Sequence, residues 1–548
     1  MKHFFVFIAA LTLVANCLAQ KTKVDLIVRN GVIYTVDQRF SVANSMAIKD
    51  GRIVSVADWS VLSSKYTANE VVDAGNKFIY PGFIDAHAHF FSYGLSLHRA
   101  DLVDTKSWDD ILKKLQAFAA EKNIQPGEWI TGRGWDQNDW EVKQFPTKEK
   151  LDDIFPNNPV LLTRIDGHAA IANQLALNIA HVKAGQKIEG GEIEVKKGVL
   201  TGILVDNAQG LVSSKIPAPS LEQTKNALLE AQQNCFAVGL TTVDDCGLSY
   251  QAVLGIDSLQ RAGLLKMRVY AMLSDDPGNY RFASQRGKIK TDYLNVRSFK
   301  VYADGALGSR GACLLQPYSD RPDWYGFLLS SQKHFDSVAN VIDRLNFQMC
   351  THAIGDSGNR TMLTIYGKYL KGKNDKRWRI EHAQVVNEKD FDLFGKYSVV
   401  PSVQPTHATS DMYWAGERLG PERVKGAYAF KQLKNENGWI PLGTDFPVED
   451  ISPFKTFYAA VFRIDAKQYP KGGYQIENAL SREDALRGMT IWAAKSNFEE
   501  NEKGSLEKGK FADFIILDRD LMKVPAQEAL NAKVLATYVN GSKVYEKK

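Results

Sequence analysis

The chain has 548 residues, of which 44% are hydrophobic and 24% are charged. This is the composition of a globular protein, and the length predicts two or more domains. The formal net charge of +5 is small for this length, and no dense lysine and arginine block occurs, which argues against a nucleic-acid partner.

The N-terminus has the pattern of a secretory signal peptide over residues 1–19. A short basic start, Met1–His3, precedes an apolar run, Phe4–Val14, that is too short to span a bilayer. Cys17 to Ala19 end in a small residue, so cleavage before Gln20 is predicted. Acylation of Cys17 in a lipoprotein is the alternative, which Asn16 disfavours. We therefore expect a secreted or periplasmic protein with no transmembrane segment in the mature chain.

Four cysteines remain after such a cleavage, and they lie far apart in the sequence. No pair has the C-x-x-C spacing, and three of the four lie in or beside apolar runs. Buried free thiols are therefore expected rather than a disulfide framework or a thiolate metal site. These residues are Cys235, Cys246, Cys313 and Cys350.

Short strand-like runs occupy both ends of the mature chain. Near the N-terminus they are separated by hairpin signals at Asn30-Gly31 and Asp50-Gly51, and Asn540-Gly541 gives the same signal near the C-terminus. We predict that residues 20–80 and 498–548 form one small β-sandwich beside a central domain, residues 81–497. Two separate β decorations are the alternative.

The middle of the chain alternates strand patterns with amphipathic helical patterns. About eight strands are predicted, which is the number that closes a TIM (β/α)8 barrel. The fold class is thus α/β, with a large insertion after the first strand over about residues 96–217. The tryptophans of that insertion form either its own core or a wall over the active site. The predicted barrel strands are 83–89, 241–245, 267–272, 296–304, 347–352, 378–382, 399–403 and 439–445.

His87-Ala88-His89 ends the first of these strands, directly after the turn signal Pro81-Gly82. Alternate residues of a strand point to the same face, so the two imidazoles are neighbours and form half of a site for a divalent metal. Strand histidines satisfied by hydrogen bonds are the alternative for the tripeptide alone.

Further ligand-type residues end later strands of the predicted barrel. Active sites of such barrels form at the C-terminal ends of the strands, so these side chains converge on one rim. Packing gives no reason for this convergence, whereas neutral histidines and a carboxylate suit Zn²⁺. Together with His87 and His89 the set comprises Lys300, His352, His382 and Asp445.

The motifs around these residues resemble the amidohydrolase superfamily. The likeness rests on Pro81-Gly82-Phe83-Ile84-Asp85-Ala86-His87-Ala88-His89, the single histidines at 352 and 382, and Gly443-Thr444-Asp445. The segment from Lys300 to Arg310 narrows it to the amidohydrolase family 3 branch, which contains YtcJ-like proteins and N-substituted formamide deformylase.

The resemblance implies a role for each of these positions. His87 and His89 would bind a first divalent metal, His352 and His382 would bind a second, and Asp445 would ligate metal and accept a proton. Lys300 would be N-carboxylated and bridge the two ions, because a free ammonium repels a dication. An unmodified Lys300 paired with Asp304, and a site with one metal ion, are the alternatives.

Candidates for substrate contact are less clearly marked. Arg133 and Trp135 lie in a polar and aromatic cluster of the insertion, and His168 lies in a second one, where a structural role is equally expected. Asp304 and Arg310 could bind substrate or brace their loop as an ion pair. His407 follows the seventh strand.

The predicted function is metal-dependent hydrolysis of a non-peptide C–N bond in a small molecule. Hydrolysis of esters, lactones or phosphoesters on the same scaffold is the enzymatic alternative. A catalytically silent metal-binding or regulatory protein is the alternative from another class. The sequence identifies neither the substrate nor the metal, and it leaves a homo-oligomer open.

Overall fold

The computed structural model describes residues 21–548. The predicted signal peptide, including Cys17, lies outside the described residues. Among the described residues, no helix has the length and apolar character needed to cross a membrane. Cys235, Cys246 and Cys350 are buried, Cys313 is half-buried, and the four are free thiols.

A parallel sheet of seven strands forms the centre of the protein. The strands follow one another in chain order, and each is hydrogen-bonded to the next, so the sheet curves into a nearly closed barrel. We number them β1 (Phe83–Ala88), β2 (Leu240–Leu248), β3 (Arg268–Ser274), β4 (Leu294–Tyr302), β5 (Gln348–Ala353), β6 (Arg379–His382) and β7 (Val400–Ser402).

The predicted eighth strand, 439–445, is not a regular strand, although it occupies the gap between β7 and β1. The Gly443 amide donates to Val403 O at 3.1 Å, and the Asp445 amide donates to His87 O at 2.7 Å. The Asp85 side chain on β1 replaces part of the backbone hydrogen bonding that a regular strand would make with β1. Its carboxylate accepts from the Thr444 amide at 2.9 Å and from the Thr444 hydroxyl at 2.6 Å. Asp445 then turns out of the extended conformation with a φ of 65°.

Helices surround this barrel, as the alternating sequence pattern predicts. The barrel strands are buried almost throughout, because helices cover the outer face and side chains fill the interior. The helices that accompany the barrel strands are Phe90–Ser96, Leu221–Ala237, Tyr250–Arg261, Pro277–Arg286, Gln332–Arg344, Asp356–Leu370, Phe391–Tyr397, Pro405–Asp411, Ala415–Arg423, Phe430–Asn437, Pro453–Phe462, Arg482–Gly488 and Ile491–Ser496.

The long connection between β1 and β2 contains a six-stranded sheet of its own. Apolar side chains on its faces, including Trp135 and Trp140, form separate clusters from the barrel core. Its strands, in sheet order, are Gly191–Lys196, Val199–Asp206, Ala169–Ala172, Val160–Arg164, Ile130–Trp135 and Ala100–Asp101, and its helices are Trp108–Glu121, Glu149–Ile154, Gln174–Ile179 and Gln209–Ser213.

Strands from both chain ends meet in one sheet, because Phe514–Leu517 pairs antiparallel with Phe78–Pro81. This sheet has the order Ser542–Glu546, Val534–Val539, Phe514–Leu517, Phe78–Pro81, Val32–Tyr34, Val42–Ala43. A second sheet has the order Arg52–Ala57, Ser45–Lys49, Thr22–Arg29, Tyr66–Asp73. The remaining elements are the helices Trp59–Lys65 and Ala526–Ala529 and the short strand Ile289–Lys290. The domain boundaries at residues 80 and 498 stay a prediction.

Candidate active site

A cavity of about 1110 Å³ opens at the C-terminal ends of the barrel strands. The sheet of the β1–β2 connection contributes its opposite wall, through residues such as Arg133 and His168. Six of the residues that the sequence singles out on the barrel side line this cavity: His89, Lys300, His352, His382, His407 and Asp445. His87 lies beneath them and is fully buried.

Three of the predicted metal ligands form a compact group. One nitrogen of His87, one nitrogen of His382 and one oxygen of Asp445 lie within 4.8 Å of one another. His89 joins them, since its Nε2 lies 3.2 Å from Asp445 Oδ1. The His352 ring packs against the His382 ring with 4.5 Å between centroids. The barrel therefore brings together all four histidines and the aspartate that the strand ends predict.

Hydrogen bonds fix which nitrogen each β1 histidine presents to this group. His87 Nδ1 lies 2.6 Å from Glu381 Oε2, and His89 Nδ1 lies 3.0 Å from the Cys246 carbonyl oxygen. Both acceptors require a proton on Nδ1, so the Nε2 lone pairs face Asp445. This is the arrangement that outer contacts impose on metal-binding histidines.

Burial keeps three histidines of the site, His87, His352 and His382, neutral. Burial, reinforced by the charge of Lys300, lowers the pKa of His87 to about 4. It also lowers the pKa values of His352 and His382 well below their usual value. Burial opposes ionisation of Asp445 too, but the surrounding imidazoles outweigh it and hold the pKa of that carboxyl well below its ordinary value. Neutral imidazoles beside a carboxylate are the protonation states that a metal site needs.

Unpartnered polar atoms test whether these residues fit a metal ion. His352 Nε2, His382 Nδ1 and Asp445 Oδ1 are buried and have no hydrogen-bond partner among the described residues. Buried polar atoms are rarely left without a partner, because each loses its hydration. A divalent cation bound by His87, His382 and Asp445 would give partners to the unpaired atoms of His382 and Asp445, and His352 Nε2 is free to bind a second ion, so the donor set fits divalent metal.

Lys300 reaches the same group from β4. Its ammonium lies 3.1 Å from His87 Nε2 and is buried. The structure contains no ion pair between Lys300 and Asp304. The Asp304 carboxylate instead accepts backbone amides of Cys313, Ile354 and Gly355 at 2.8–2.9 Å.

The backbone at two of these strand ends is in the left-handed region. His382 and Ala383 have φ values of 72° and 44°, and Asp445 has 65°. Such conformations are unfavourable for residues with a Cβ and cluster at functional sites, where the surrounding contacts hold them. Both His382 and Asp445 belong to the candidate metal-binding group.

Three of the predicted substrate contacts lie in the cavity wall. Arg133 donates to the carbonyl oxygens of Pro447 and Ile165, so it ties the loop after Asp445 to the connection sheet. His168 lines the cavity beside His352, with 5.0 Å between ring centroids. His407 Nε2 lies 3.7 Å from Asp445 Oδ2.

The other three predicted contacts lie away from the cavity surface. Trp135 is fully buried in the connection sheet, where its indole donates to Leu162 O at 2.9 Å. Asp304 braces backbone amides as described above. Arg310 pairs with Asp320 at 2.8 Å and not with Asp304. Their predicted contact with substrate therefore has no geometric support.

Glu381 is the functional residue that the sequence reasoning missed. It alternates with His382 on β6, is fully buried, and orients His87. Arg379 on the same strand lies 3.8 Å from its other oxygen. An acidic residue within a buried strand was the available signal, because such a residue requires a charged or hydrogen-bonding neighbour.

We expect Glu381→Gln to weaken metal binding about 10- to 100-fold, because outer contacts of this kind set the orientation and basicity of a ligating histidine. Competition with a chelator of known affinity measures the change. Glu388→Gln, an exposed residue downstream of the same strand, is the matched control. Equal metal affinity in Glu381→Gln and the wild type would contradict this role for Glu381.

Comparison with known proteins places this geometry in a family. A sequence model described as the amidohydrolase family matches residues 70–545. Protein LONG AFTER FAR-RED 3 of Arabidopsis thaliana is 34% identical, with 95% of this chain and 91% of the relative covered. N-substituted formamide deformylase of Arthrobacter pascens is 26% identical, with 95% and 98% covered.

A solved structure agrees with the sequence comparisons. The uncharacterized metal-dependent hydrolase from Pyrococcus horikoshii OT3 superposes with a TM-score of 0.74 at 28% identity, and 91% of this chain and 99% of that one are covered. The chain therefore belongs to the amidohydrolase family of metal-dependent hydrolases.

Proposed function

We propose that the protein hydrolyses a non-peptide C–N bond in a small amide-type molecule. The observation that carries the proposal is the set of unpartnered buried atoms on His352, His382 and Asp445 at the floor of the cavity. The relative named as a formamide deformylase supports the choice of bond. The cavity volume of about 1110 Å³ suits a small molecule.

The metal-binding residues in this proposal are His87, His89, His352, His382 and Asp445, with Lys300 as an N-carboxylated bridge if two ions bind. Zinc is the metal that the donor set favours. A bound divalent cation would supply a Lewis acid that polarises the carbonyl and lowers the pKa of water.

Asp445 performs the proton transfers in this scheme. Its carboxylate is ionised, lies at the centre of the histidine group, and has one buried oxygen free of hydrogen bonds. It takes a proton from the attacking water and delivers it to the leaving nitrogen, which departs as an amine. His87 and His89 flank Asp445 from β1, with their Nε2 atoms 3.6 and 3.2 Å from Asp445 Oδ1.

Lys300 needs modification for the role of a bridge. A carbamate on Nζ replaces a positive charge with an anionic oxygen pair, and Nζ already lies among the side chains of the group, 3.1 Å from His87 Nε2. A mass increase of the intact chain, reversible on acidification and absent from Lys300→Met, would identify this modification.

A hydrolysis screen tests the proposed reaction. The full mature chain, loaded with zinc, is assayed against N-formyl, N-acetyl and cyclic amides, and against aryl esters and phosphotriesters. Turnover of an amide class well above the esters supports the proposal. Preference for esters or phosphotriesters would replace it with the alternative hydrolase, and failure to retain any metal would favour a silent binding protein.

We also propose that the first nineteen residues direct the chain out of the cytoplasm. The support is the sequence pattern described above, with its basic start and its apolar run from Phe4 to Val14. The N-terminal sequence of protein recovered from the expressing cell's periplasm or medium would begin at Gln20. Retention of Met1 would contradict the proposal.

A further inference from the structure

Half-buried His168 and buried Asp206 form a pair on the connection-sheet wall of the cavity. The strands Ala169–Ala172 and Val199–Asp206 are antiparallel, and Ala169 lies opposite Val205. The next position of this register places His168 opposite Asp206. The Asp206 amide donates to His168 O at 2.9 Å. The side chains meet as well, with 2.6 Å between His168 Nδ1 and Asp206 Oδ1.

The loop after β4 closes around Asp206 so tightly that two of its positions require glycine. A Cβ on Gly305 would lie 2.4 Å from Asp206 Oδ2, and a Cβ on Gly311 would lie 2.4 Å from the same oxygen. Asp206 Oδ2 is buried and has no hydrogen-bond partner among the described residues. Burying a carboxylate with one unpaired oxygen is unfavourable. The other oxygen contacts His168, which indicates that Asp206 is there to orient the His168 ring.

This orientation determines which nitrogen of His168 faces the cavity. Burial lowers the pKa of His168, but Asp206 outweighs burial and raises it above its ordinary value. In the deprotonated ring, with Nδ1–H donated to Asp206, the lone pair is on Nε2. The side chain lines the cavity and is 15% exposed, and its ring lies 5.0 Å from that of His352. Among the described residues Nε2 has no hydrogen-bond partner, so the deprotonated ring offers a free hydrogen-bond acceptor in the cavity wall beside His352.

We propose that His168 contacts the substrate directly, with Nε2 accepting a hydrogen bond from the N–H of the scissile amide, and that Asp206 is its positioning residue. This rests on the proposed function and deepens it by naming the substrate class: amides that carry an N–H. An amide whose nitrogen bears two carbon substituents besides the acyl group leaves Nε2 without a donor. A site built for a hydrogen bond discriminates against the analogue that lacks it.

A matched pair of substrates measures this contact. The pair is an N-monosubstituted formamide and its N-methylated counterpart, assayed with the zinc-loaded full chain. We expect the wild type to favour the N–H amide by about 10- to 100-fold in kcat/KM. His168→Phe should lose most of this preference by slowing only the N–H amide. His168→Gln should restore much of it, because its amide oxygen can accept the same bond.

Asp206→Ala tests positioning separately. It should reduce the preference while leaving zinc content unchanged, because the imidazole remains but is no longer held. His181→Gln, an exposed residue of the same connection, is the control and should keep the wild-type ratio. Circular dichroism and the melting temperature of each variant show whether it is folded.

Two results would overturn the inference. One is an equal fall in kcat/KM for both substrates in His168→Phe, which would mean that His168 supports the structure and does not contact a substrate N–H. The other is a fall in zinc content in His168→Phe, which would make His168 a metal ligand. If the wild type hydrolyses neither this pair nor any other amide of the screen, the proposed function fails. Binding of the two amides by titration calorimetry then still tests the contact, through the same ratio and the same variants.

Discussion

Asp445→Asn is expected to lower kcat by roughly 10²- to 10⁴-fold, the usual contribution of a positioned general acid–base group. Asparagine has the same shape, but its amide can neither take the proton from water nor return it to the leaving nitrogen. The backbone is expected to stay in place, because asparagine tolerates the left-handed conformation that Asp445 adopts at φ 65°. Steady-state kinetics with the best amide of the screen measure the effect.

Asp392→Asn is the control for this experiment. Asp392 is exposed in the first turn of the helix Phe391–Tyr397 and does not line the cavity. Its loss is expected to leave kcat within a few-fold of the wild type. If Asp445→Asn retained more than about a tenth of the wild-type kcat, a role in proton transfer would be wrong.

His87→Asn is expected to weaken metal affinity by more than about 100-fold and to abolish turnover. Loss of a residue that only hydrogen-bonds to a metal ligand already weakens metal affinity about 10- to 100-fold, and loss of the ligand itself should cost more. The asparagine amide can replace Nδ1–H as the donor to Glu381, which lies 2.6 Å from that nitrogen. The variant therefore removes the Nε2 lone pair without leaving Glu381 as an unpaired buried charge. Zinc content after dialysis and the melting temperature measure the two effects.

His98→Asn is the control for His87→Asn. His98 is exposed and makes only a surface contact with Glu230, 3.6 Å away, so metal content and activity should be unchanged. Full zinc occupancy in His87→Asn together with wild-type turnover would show that His87 Nε2 is not a ligand.

Much of the fold and of the metal centre follows from local sequence patterns. Seven of the eight predicted barrel strands appear as strands in the structure, because apolar runs bounded by turns are strong signals. His352 and His382 end two of these strands and Asp445 follows the eighth position. Because the C-terminal ends of barrel strands share one rim, their positions in the sequence were sufficient to predict that these three side chains lie in one site.

The eighth segment shows why other features could not be predicted. Its sequence, Trp439–Asp445, has the apolar run of a strand, but Asp85 binds Thr444 from 359 residues away in the chain. A side chain that replaces part of the ladder over that distance leaves no local signal. The pairing of Glu381 with His87, 294 residues apart, is hidden for the same reason.

Substrate-side residues were the least predictable. Arg133 and Trp135 are neighbours in one unusual cluster, yet Arg133 lines the cavity while Trp135 fills the core of the connection sheet. They lie two positions apart, so regular strand alternation would place both on one face of the sheet. The glycine between them, Gly134 with φ 112°, breaks this alternation, and the pairing with the neighbouring strand shifts register at the same point.

Zinc titration of the metal-free full chain, with bound metal and amide hydrolysis measured in the same samples, tests the central claim most directly. Hydrolysis should rise in proportion to bound zinc, reach a plateau at one or two ions per chain, disappear on chelation and return when zinc is restored. A metal-free chain that turns over the amide at the rate of the loaded chain would contradict a metal-dependent hydrolase built on His87, His382 and Asp445.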